Sequence, residues 1–380
     1  MVDWKKLGEI SKRNKGIPIT AGQMNELSTP NGNVRVFAAG QTIADIKEDD
    51  LPTNCAYKKP SIIVKSRGYI DFEFYEKPFT HKNEMWSYSF NDRQNGKFIF
   101  YFLTTKTEFF RKKAKANSVK LPQLCVADTD NYLIPIPSLS EQQRIVGILD
   151  TFTSSIENLK EQIAQRRKQY EYYRDQLLDL EGKEGVEMKT LSEICEIKGR
   201  IGFRGYTRDD QVAEGEGVIS LSPGNIEDGK MVYDGCTYIT WAKYEESPEI
   251  KTYNGDILFC KTGSTVGKVA MVDNLPCEAT INPQLVVLKN VSINAKFLKH
   301  TLGTYKIQTV VKRLAGVGSV PNISQEKLGN LEVLLPSLVE QQRIVSILDT
   351  FEASVANLEQ QLAQREKQYE YYRNILLSFE

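Results

Sequence analysis

The chain contains an internal repeat, and this repeat restricts the folds it can adopt. Residues 137–178 and 336–377 are identical at 30 of 42 positions and are related by a constant offset of 199 residues. The offset continues upstream to Lys97 and Lys296, before which the two copies diverge almost completely. Because a long repeat sets the number of structural units, the chain consists of two variable blocks that alternate with two nearly identical segments.

Each repeated segment is predicted to form one long helix. It opens with a proline and a Ser-x-x-Glu capping box, Ser138 to Glu141 in the first copy and Ser337 to Glu340 in the second. Apolar and aromatic residues then recur in alternating steps of three and four, sustained over about five heptads. This spacing predicts a coiled-coil seam formed by Leu149, Phe152, Ile156, Leu159, Ile163, Tyr170 and Tyr173 of the first segment and Leu348, Phe351, Val355, Leu358, Leu362, Tyr369 and Tyr372 of the second.

The two seams are predicted to pair with each other. A helix of roughly 40 residues is about 60 Å long, and its narrow apolar stripe would stay wet unless a second helix covered it. Antiparallel pairing would place one block at each end and give an approximate internal twofold axis. The alternative is a dimerisation coiled coil whose second helix comes from another chain. Arg166 and Arg365 each occupy one seam position, where they either extend to solvent or mark a partner site.

The predicted fold class is α+β, with two globular domains separated by two long antiparallel coiled-coil helices. The first block covers residues 1–136 and the first helical segment 137–181; the second block covers 182–335 and the second helical segment 336–380. Both blocks hold strand-like runs bounded by turn residues. The first block is the only net basic part, with 21 Lys and Arg against 15 Asp and Glu.

Composition narrows the class of protein. An apolar content of 41% is ordinary for a globular chain. No window holds the 18 or more apolar residues of a membrane helix, and the first residues lack a signal-peptide pattern, which predicts a cytoplasmic protein without membrane contact. Six cysteines without a CxxC pair and two histidines predict reduced thiols and no metal site. Forty-nine basic and 49 acidic residues cancel, which argues against a free-standing protein that grips nucleic acid by a bulk positive field.

One segment resembles a phosphate-binding loop and fails the comparison. Lys261-Thr-Gly-Ser-Thr-Val-Gly-Lys268 has three residues between its glycines instead of four, and a valine follows the lysine instead of Ser or Thr. The continuation Val-Ala-Met-Val is typical of a strand, whereas phosphate would need a helix N-terminus. The segment is therefore predicted to be a loop of small polar residues between two strands.

The first block has a comparable loop around Lys65-Ser66-Arg67. Such residues can neutralise phosphates or contact base edges, although a single loop of this kind is usually an ordinary surface hairpin. Lysines and arginines late in two predicted helices are further candidates, although they also favour the helix dipole. The candidate DNA contacts are Lys65, Ser66, Arg67, Lys112, Lys113, Lys261, Thr262, Ser264, Thr265, Lys268, Lys312 and Arg313.

The sequence carries no sign of catalysis. Asn282-Pro283-Gln284-Leu285 misses the Asn/Asp-Pro-Pro-aromatic motif of amino-methyltransferases, and no Pro-Asp dipeptide opens a common nuclease motif. No nucleotide fingerprint, metal cluster or catalytic triad pattern is present. The chain is therefore predicted to be a binding protein rather than an enzyme.

The whole chain resembles the specificity subunit of type I restriction-modification systems. The resemblance rests on two variable blocks alternating with two near-identical helices, each introduced by Pro-Ser-Leu-x-Glu-Gln-Gln-Arg-Ile-Val-x-Ile-Leu-Asp. Lys261–Lys268 and the Pro321-Asn-Ile segment that leads to Pro336 are also similar to parts of the family's recognition domains.

The resemblance implies that each block is a target recognition domain for one half of a split sequence in double-stranded DNA. The helices would act as a spacer and dock two methyltransferase subunits, and a separate restriction and motor subunit would join for cleavage. S-adenosylmethionine, ATP and magnesium would belong to those partners, leaving no cofactor on this chain. The alternative function is a non-catalytic coiled-coil scaffold or a DNA-binding protein outside restriction-modification.

Overall fold

The computed structural model describes residues 2–118, 120–200, 206–316, 318 and 320–379, apart from the side chain of Gln94. The chain forms two compact units. The first unit comprises Met1–Lys160 together with Gln360–Glu380, and the second comprises Glu161–Glu359. Each unit therefore contains one block, the first part of the helix that follows it and the last part of the other long helix.

The first block is a mixed α and β structure. Its strands are β1 (Asp3–Lys6), β2 (Lys12–Lys15), β3 (Val34–Phe37), β4 (Ile43–Ile46), β5 (Ser61–Lys65), β6 (Asp71–Tyr75), β7 (Phe79–His81), β8 (Trp86–Ser89) and β9 (Leu133–Ile136). Its helices are α1 (Leu7–Ile10), α2 (Ala21–Leu27), α3 (Arg93–Thr104), α4 (Thr107–Asn117) and α5 (Val126–Asp130). The first long helix, α6 (Leu139–Leu177), follows β9.

The second block continues the chain with the same kinds of element. Its strands are β10 (Glu187–Thr190), β11 (Glu196–Lys198), β12 (Gln211–Val212), β13 (Val218–Leu221), β14 (Ile226–Glu227), β15 (Lys230–Met231), β16 (Thr237–Ile239), β17 (Ile257–Cys260), β18 (Val269–Met271), β19 (Ala279–Ile281), β20 (Leu285–Lys289) and β21 (Glu332–Leu335). Its helices are α7 (Leu191–Ile194), α8 (Trp241–Glu245), α9 (Ala295–Leu302), α10 (Tyr305–Ala315) and α11 (Gln325–Gly329), before the second long helix α12 (Leu338–Leu376).

The two blocks share one sheet topology although their sequences differ. A four-stranded sheet of order β2-β8-β5-β6 in the first block corresponds to β11-β20-β17-β18 in the second. The sheet β4-β3-β7 corresponds to β16-β13-β19, to which β12 is added, and each of these two sheets contains one parallel pair. The entry strand pairs antiparallel with the exit strand in both blocks, β1 with β9 and β10 with β21.

Both long helices span 39 residues and pack antiparallel, as the heptad pattern predicts. In the first unit, the Phe152 ring stacks on Tyr372 with 5.3 Å between ring centroids, so an early residue of α6 contacts a late residue of α12. In the second unit, Tyr173 stacks in the same way on Phe351 at 5.2 Å. The prediction of an α+β fold with two long antiparallel helices is therefore confirmed.

The two seam arginines do more than extend to solvent. The Arg166 guanidinium lies over the Phe351 ring at 6.0 Å, and that of Arg365 over Phe152 at 5.7 Å. Both arginines are half-buried. An arginine can occupy a seam position because its planar group packs on an aromatic face while its edges stay hydrated.

The predicted seam residues differ in burial. Tyr173 and Tyr372 remain 44% exposed although their rings are stacked. The buried members are Leu149, Ile156, Ile163, Leu348 and Val355, and the half-buried ones are Phe152, Leu159, Tyr170, Phe351, Leu358, Leu362 and Tyr369.

The capping boxes are only half formed. Ser138 Oγ accepts a hydrogen bond from Glu141 N at 3.3 Å, and the second long helix begins with the same contact. The Glu141 carboxylate does not return to the helix start but accepts hydrogen bonds from Nε and Nη2 of Arg144. These two charge-assisted hydrogen bonds replace the single one that the carboxylate would accept from the N-cap N–H in a complete box.

The residues that follow each long helix belong to the core of the unit that contains them. In the first unit, Leu377 is buried with Ile145 and Leu149, and Phe379 packs beside them. In the second, Leu180 is buried with Ile344 and Leu348. Among the described residues, no helix combines the length and the apolar character that crossing a membrane requires.

Candidate nucleic-acid interface

The loop after β5 presents one of its three predicted DNA contacts to solvent. The Lys65 ammonium lies 2.8 Å from a carboxylate oxygen of Glu73 on the neighbouring strand β6. Ser66 is fully buried, and its hydroxyl donates to the main-chain oxygen of Glu84. Arg67 is exposed. Arg67 is therefore the side chain of this group that is available to a ligand.

The loop between β17 and β18 has a similar division. Its second strand pairs antiparallel with the first, in agreement with the prediction that Lys261–Lys268 does not lead into a phosphate-binding helix. Ser264 is exposed and Thr262 half-buried, whereas the Thr265 hydroxyl lies 3.4 Å from the Cys260 sulfur. The Lys268 side chain folds back onto the main chain of the second block.

The Lys268 ammonium donates to the main-chain oxygen of Ile226 at 2.8 Å and approaches that of Pro223 at 3.4 Å. These hydrogen bonds tie the end of the loop to the first residue of β14 and to the turn before it. Of the two lysines that flank the loop, Lys268 therefore has a structural partner, and Lys261 lies at the start of the loop in a half-buried position.

The two loops are structurally equivalent, because each one docks on the same segment of its block. In the first block Gly68 N donates to Pro122 O, and Leu124 N donates to Ser66 O, both at 2.9 Å. In the second block Gly263 N donates to Pro321 O at 2.8 Å, and Ile323 N donates to Lys261 O at 2.9 Å. Gly68 and Gly263 both have positive φ, which glycine adopts without strain.

The equivalent docking brings two exposed amides beside the loops. An isolated antiparallel bridge joins Arg67 to Gln123 in the first block and Thr262 to Asn322 in the second. Gln123 and Asn322 are both exposed, and neither was among the predicted contacts. The available signal was the preceding proline, since Pro122 and Pro321 are related by the repeat offset of 199.

The prediction that both basic clusters lie late in helices holds for Lys312 and Arg313, which are in the last turn of α10, but Lys112 and Lys113 lie in the middle of α4. Lys112, Lys312 and Arg313 are exposed on α4 and α10. Lys113 lies 3.3 Å from Asp128 and over the Phe109 ring at 6.0 Å, so it has partners within its own block. Burial would raise the pKa of Asp128, but hydrogen bonds from Cys125 and contacts with Lys113 and Asn117 outweigh it and lower that pKa. Lys113 thus stabilises the contact between α4 and α5, the helix that carries Asp128.

A polar cluster in the second unit has the composition of a metal site. One ligand atom each of His300, Asp349 and Glu352 lies within 4.8 Å of the others. The Lys296 ammonium, however, lies 2.6 Å from Asp349, and Lys299 binds Glu352. Both carboxylates are thus already neutralised by ammonium groups. The donor set fits a partly exposed ion-pair cluster that joins α9 to α12 better than it fits a divalent cation.

The comparisons with known proteins agree on one family. The model of the type I restriction modification DNA specificity domain matches residues 1–166 and 183–367. The specificity subunit of the Escherichia coli type I restriction enzymes EcoR124I and EcoR124II is 30% identical over 100% of this chain and 94% of its own length. A putative type I specificity subunit of Haemophilus influenzae is 26% identical over 100% of this chain and 96% of its own.

A solved structure has the same fold. The S subunit of a type I restriction-modification system from M. genitalium aligns with a TM-score of 0.61 at 18% identity, covering 100% of this chain and 97% of that one. Since the family model matches both halves and a named relative is 30% identical over the full length, the chain belongs to the type I restriction-modification DNA specificity family and is a specificity subunit, the non-catalytic component of such a system.

Proposed function

We propose that this specificity subunit reads a split target in double-stranded DNA, the first block one half and the second block the other. The observation that carries the proposal is the equivalent docking of two unlike loops. Gly68 and Gly263 bind Pro122 and Pro321 through the same main-chain hydrogen bond, although the loop sequences differ. Two half-sites with independent sequences require different side chains held by the same main-chain arrangement, and the two docked loops provide this.

The helices set the gap between the half-sites and dock two methyltransferase subunits. Supporting this, the two repeated segments present the same surface. Each begins with an exposed leucine, Leu139 or Leu338, next to a bidentate Glu–Arg pair. Tyr172 and its repeat equivalent Tyr371 are 58% and 63% exposed. Two copies of one surface can bind two copies of one partner.

The chemistry belongs to the partners in this proposal. S-adenosylmethionine is bound by the methyltransferase subunits, and ATP and magnesium by a separate restriction and motor subunit. The complex works in the cytoplasm, where the DNA of a bacterial cell lies. The chain has equal numbers of acidic and basic residues, which suits a subunit whose partners supply part of the grip on the phosphate backbone.

The test is a block exchange in the assembled methyltransferase. Residues 1–136 are replaced by the corresponding block of another family member, and the methylated sequence is determined genome-wide with and without the exchange. The expected result is a change in one half of the split motif with the other half and the gap retained. A hybrid that alters both halves, or wild-type methylation without a split motif, would overturn the proposal. Purified alone, the chain should transfer no methyl group.

A further inference from the structure

We propose that Asn322 reads an adenine in the half-site of the second block and that Thr262 holds its amide in the reading orientation. The inference rests on the proposed function, and Arg67 with Gln123 forms the corresponding pair in the first block. Asparagine and glutamine amides match adenine because the N6 amino group donates and N7 accepts, and an amide offers the complementary pair of atoms.

The main chain fixes the position of Asn322. The residue before it is Pro321, whose oxygen accepts from Gly263 N at 2.8 Å, and the residue after it is Ile323, whose N–H donates to Lys261 O at 2.9 Å. Ile323 is completely buried in the core of the second unit. An exposed side chain between two anchored neighbours loses little freedom on binding, which favours affinity and discrimination.

Thr262 fixes the orientation of the amide. Its hydroxyl donates to Asn322 Oδ1 at 2.6 Å. An amide oxygen has two acceptor positions, so Oδ1 can still accept from an adenine amino group, and both N–H donors of Nδ2 remain for N7. The hydroxyl thus removes the ambiguity between the two ends of the amide without exhausting its hydrogen-bonding capacity.

The first block repeats the arrangement with different side chains. Gln123 lies between Pro122, which accepts from Gly68 N, and Leu124, which is 2% exposed and donates to Ser66 O. Its bridge partner is Arg67, an exposed residue. An arginine can bind guanine bidentately at O6 and N7. At the equivalent place, the first block therefore presents an arginine and an amide, Arg67 and Gln123. The second block presents the amide of Asn322, oriented by a hydroxyl.

The experiment uses the full chain assembled with its methyltransferase subunits and a DNA library in which each half-site position is randomised in turn. Wild type and Asn322→Ala are compared by the rate of methylation at each base. Asn322→Ala should reduce the preference for adenine at one position of the second half-site by roughly 5- to 150-fold. The first half-site should be unaffected. Asn330→Ala, the same change at an exposed residue after α11 of the same block, is the matched control.

Asn322→Asp provides an independent variant of the same residue. A carboxylate cannot donate to N7 but can accept from the cytosine amino group, so the preference at that position should shift from adenine toward cytosine. Equal weakening at all sequences would identify a phosphate contact and overturn the inference, as would an unchanged preference. A wild-type complex that methylates no split motif would instead overturn the proposed function.

Thr262 is tested as a positioning residue. Thr262→Val removes the hydroxyl with little change of shape, whereas Thr262→Ser keeps it. The valine variant should lose part of the adenine preference at the same position as Asn322→Ala, and the serine variant should retain it. A valine variant with full preference would remove Thr262 from the proposal, and a loss shared by both variants would indicate packing rather than orientation.

Discussion

The Lys160 ammonium lies 3.1 Å from a carboxylate oxygen of Glu366, across the two long helices of the first unit. In the second unit the repeat-equivalent positions hold Glu359 and Arg167, 2.7 Å apart with the charges exchanged. A pair made from two copies of α6 in this register would place Lys160 against Arg167. At these positions α6 carries basic residues and α12 carries acidic ones, so two copies of the same helix would bring like charges together. This favours pairing of α6 with α12.

Replacing Lys160 by Glu should lower the free energy of unfolding, because it places two carboxylates together. Both partners are about half exposed, at 58% and 47%, so the effect should be modest, about 0.5–1 kcal/mol, and smaller at high salt. Lys160→Glu combined with Glu366→Lys should recover most of the loss. Urea unfolding at low and high ionic strength measures all three variants and the coupling energy.

Lys168→Glu supplies the control for that cycle, since Lys168 is an exposed lysine of the same helix outside the predicted seam. An equal loss in Lys168→Glu, or no recovery in the double variant, would mean that the helix responds to its net charge and not to this pair.

The helices could be predicted from the sequence far better than the sheets. A heptad pattern is local, and the predicted segments contain the observed helices Leu139–Leu177 and Leu338–Leu376. The parallel pairing of β3 with β7 joins residues about forty positions apart, and no local pattern encodes it. The common topology of the blocks follows from such pairings, so it could not be inferred from sequences that diverge before Lys97 and Lys296.

The position of the two candidate loops between strands could be predicted from the sequence, but the contacts of their side chains could not. Both loops lie between paired strands as predicted, because alternating strands around small polar residues form a local pattern. Ser66 and Lys268 nevertheless bind main-chain oxygens, since burial and folding back depend on segments remote in the chain. Gln123 and Asn322 were missed for the same reason. Their place beside the loops arises from contacts across 55 or more residues.

Replacing His300 by Tyr should make the protein less sensitive to acid. His300 is 1% exposed, and burial lowers its pKa to about 3, with Lys299, Arg174 and Lys296 adding to that effect and Asp349 opposing it. In the unfolded chain His300 binds a proton near pH 6.5, whereas in the folded chain it does not. Stability is therefore lost as pH falls below about 6.5, at up to about 1.4 kcal/mol per pH unit.

The repeat indicates the substitution, because the position equivalent to His300 is Tyr101, whose hydroxyl donates to Asp150 at 2.6 Å. Urea unfolding between pH 7.5 and 4.5 should give a shallower slope for His300→Tyr. Some slope should remain, since burial also lowers the pKa of His81 to about 4. His300→Phe should show the same shallower slope as His300→Tyr, with a lower free energy of unfolding at every pH. A variant slope equal to wild type would assign the acid sensitivity to other groups.

The two lysines of the second loop should respond differently to removal. Lys268→Ala deletes the hydrogen bonds to Ile226 O and Pro223 O, so it should lower the free energy of unfolding by about 1 kcal/mol without changing base preference. Lys261 lies at the loop entry with a charge that a phosphate can use. Lys261→Ala should weaken DNA binding of the assembled complex at all sequences and reduce its salt slope by about one.

Thermal or urea unfolding and salt-dependent binding separate these two outcomes. Loss of DNA affinity in a stably folded Lys268→Ala would contradict the structural role of Lys268. A change of preference at a single base in Lys261→Ala would show that Lys261 contacts a base edge instead of the backbone.

The spacer role of the long helices predicts a longer gap when both are lengthened equally. One heptad inserted after Ile163 and one after Leu362, positions one repeat apart, keeps the apolar seam in phase. Seven residues add about 10 Å, which corresponds to roughly three base pairs at about 3.4 Å each. The half-site sequences should be unchanged, and the unspecified gap between them should grow by about that number.

Activity and gap length must be read separately in this experiment. Three additional base pairs also rotate one half-site by about a quarter turn or more, on a helical turn of about 10–10.5 base pairs. The helices need not follow that rotation, so total methylation can fall even when the spacer role is correct. The gap in the remaining methylated sites, measured with the methyltransferase subunits present, is therefore the decisive quantity. An unchanged gap in a folded and active variant would mean that the helices serve assembly alone.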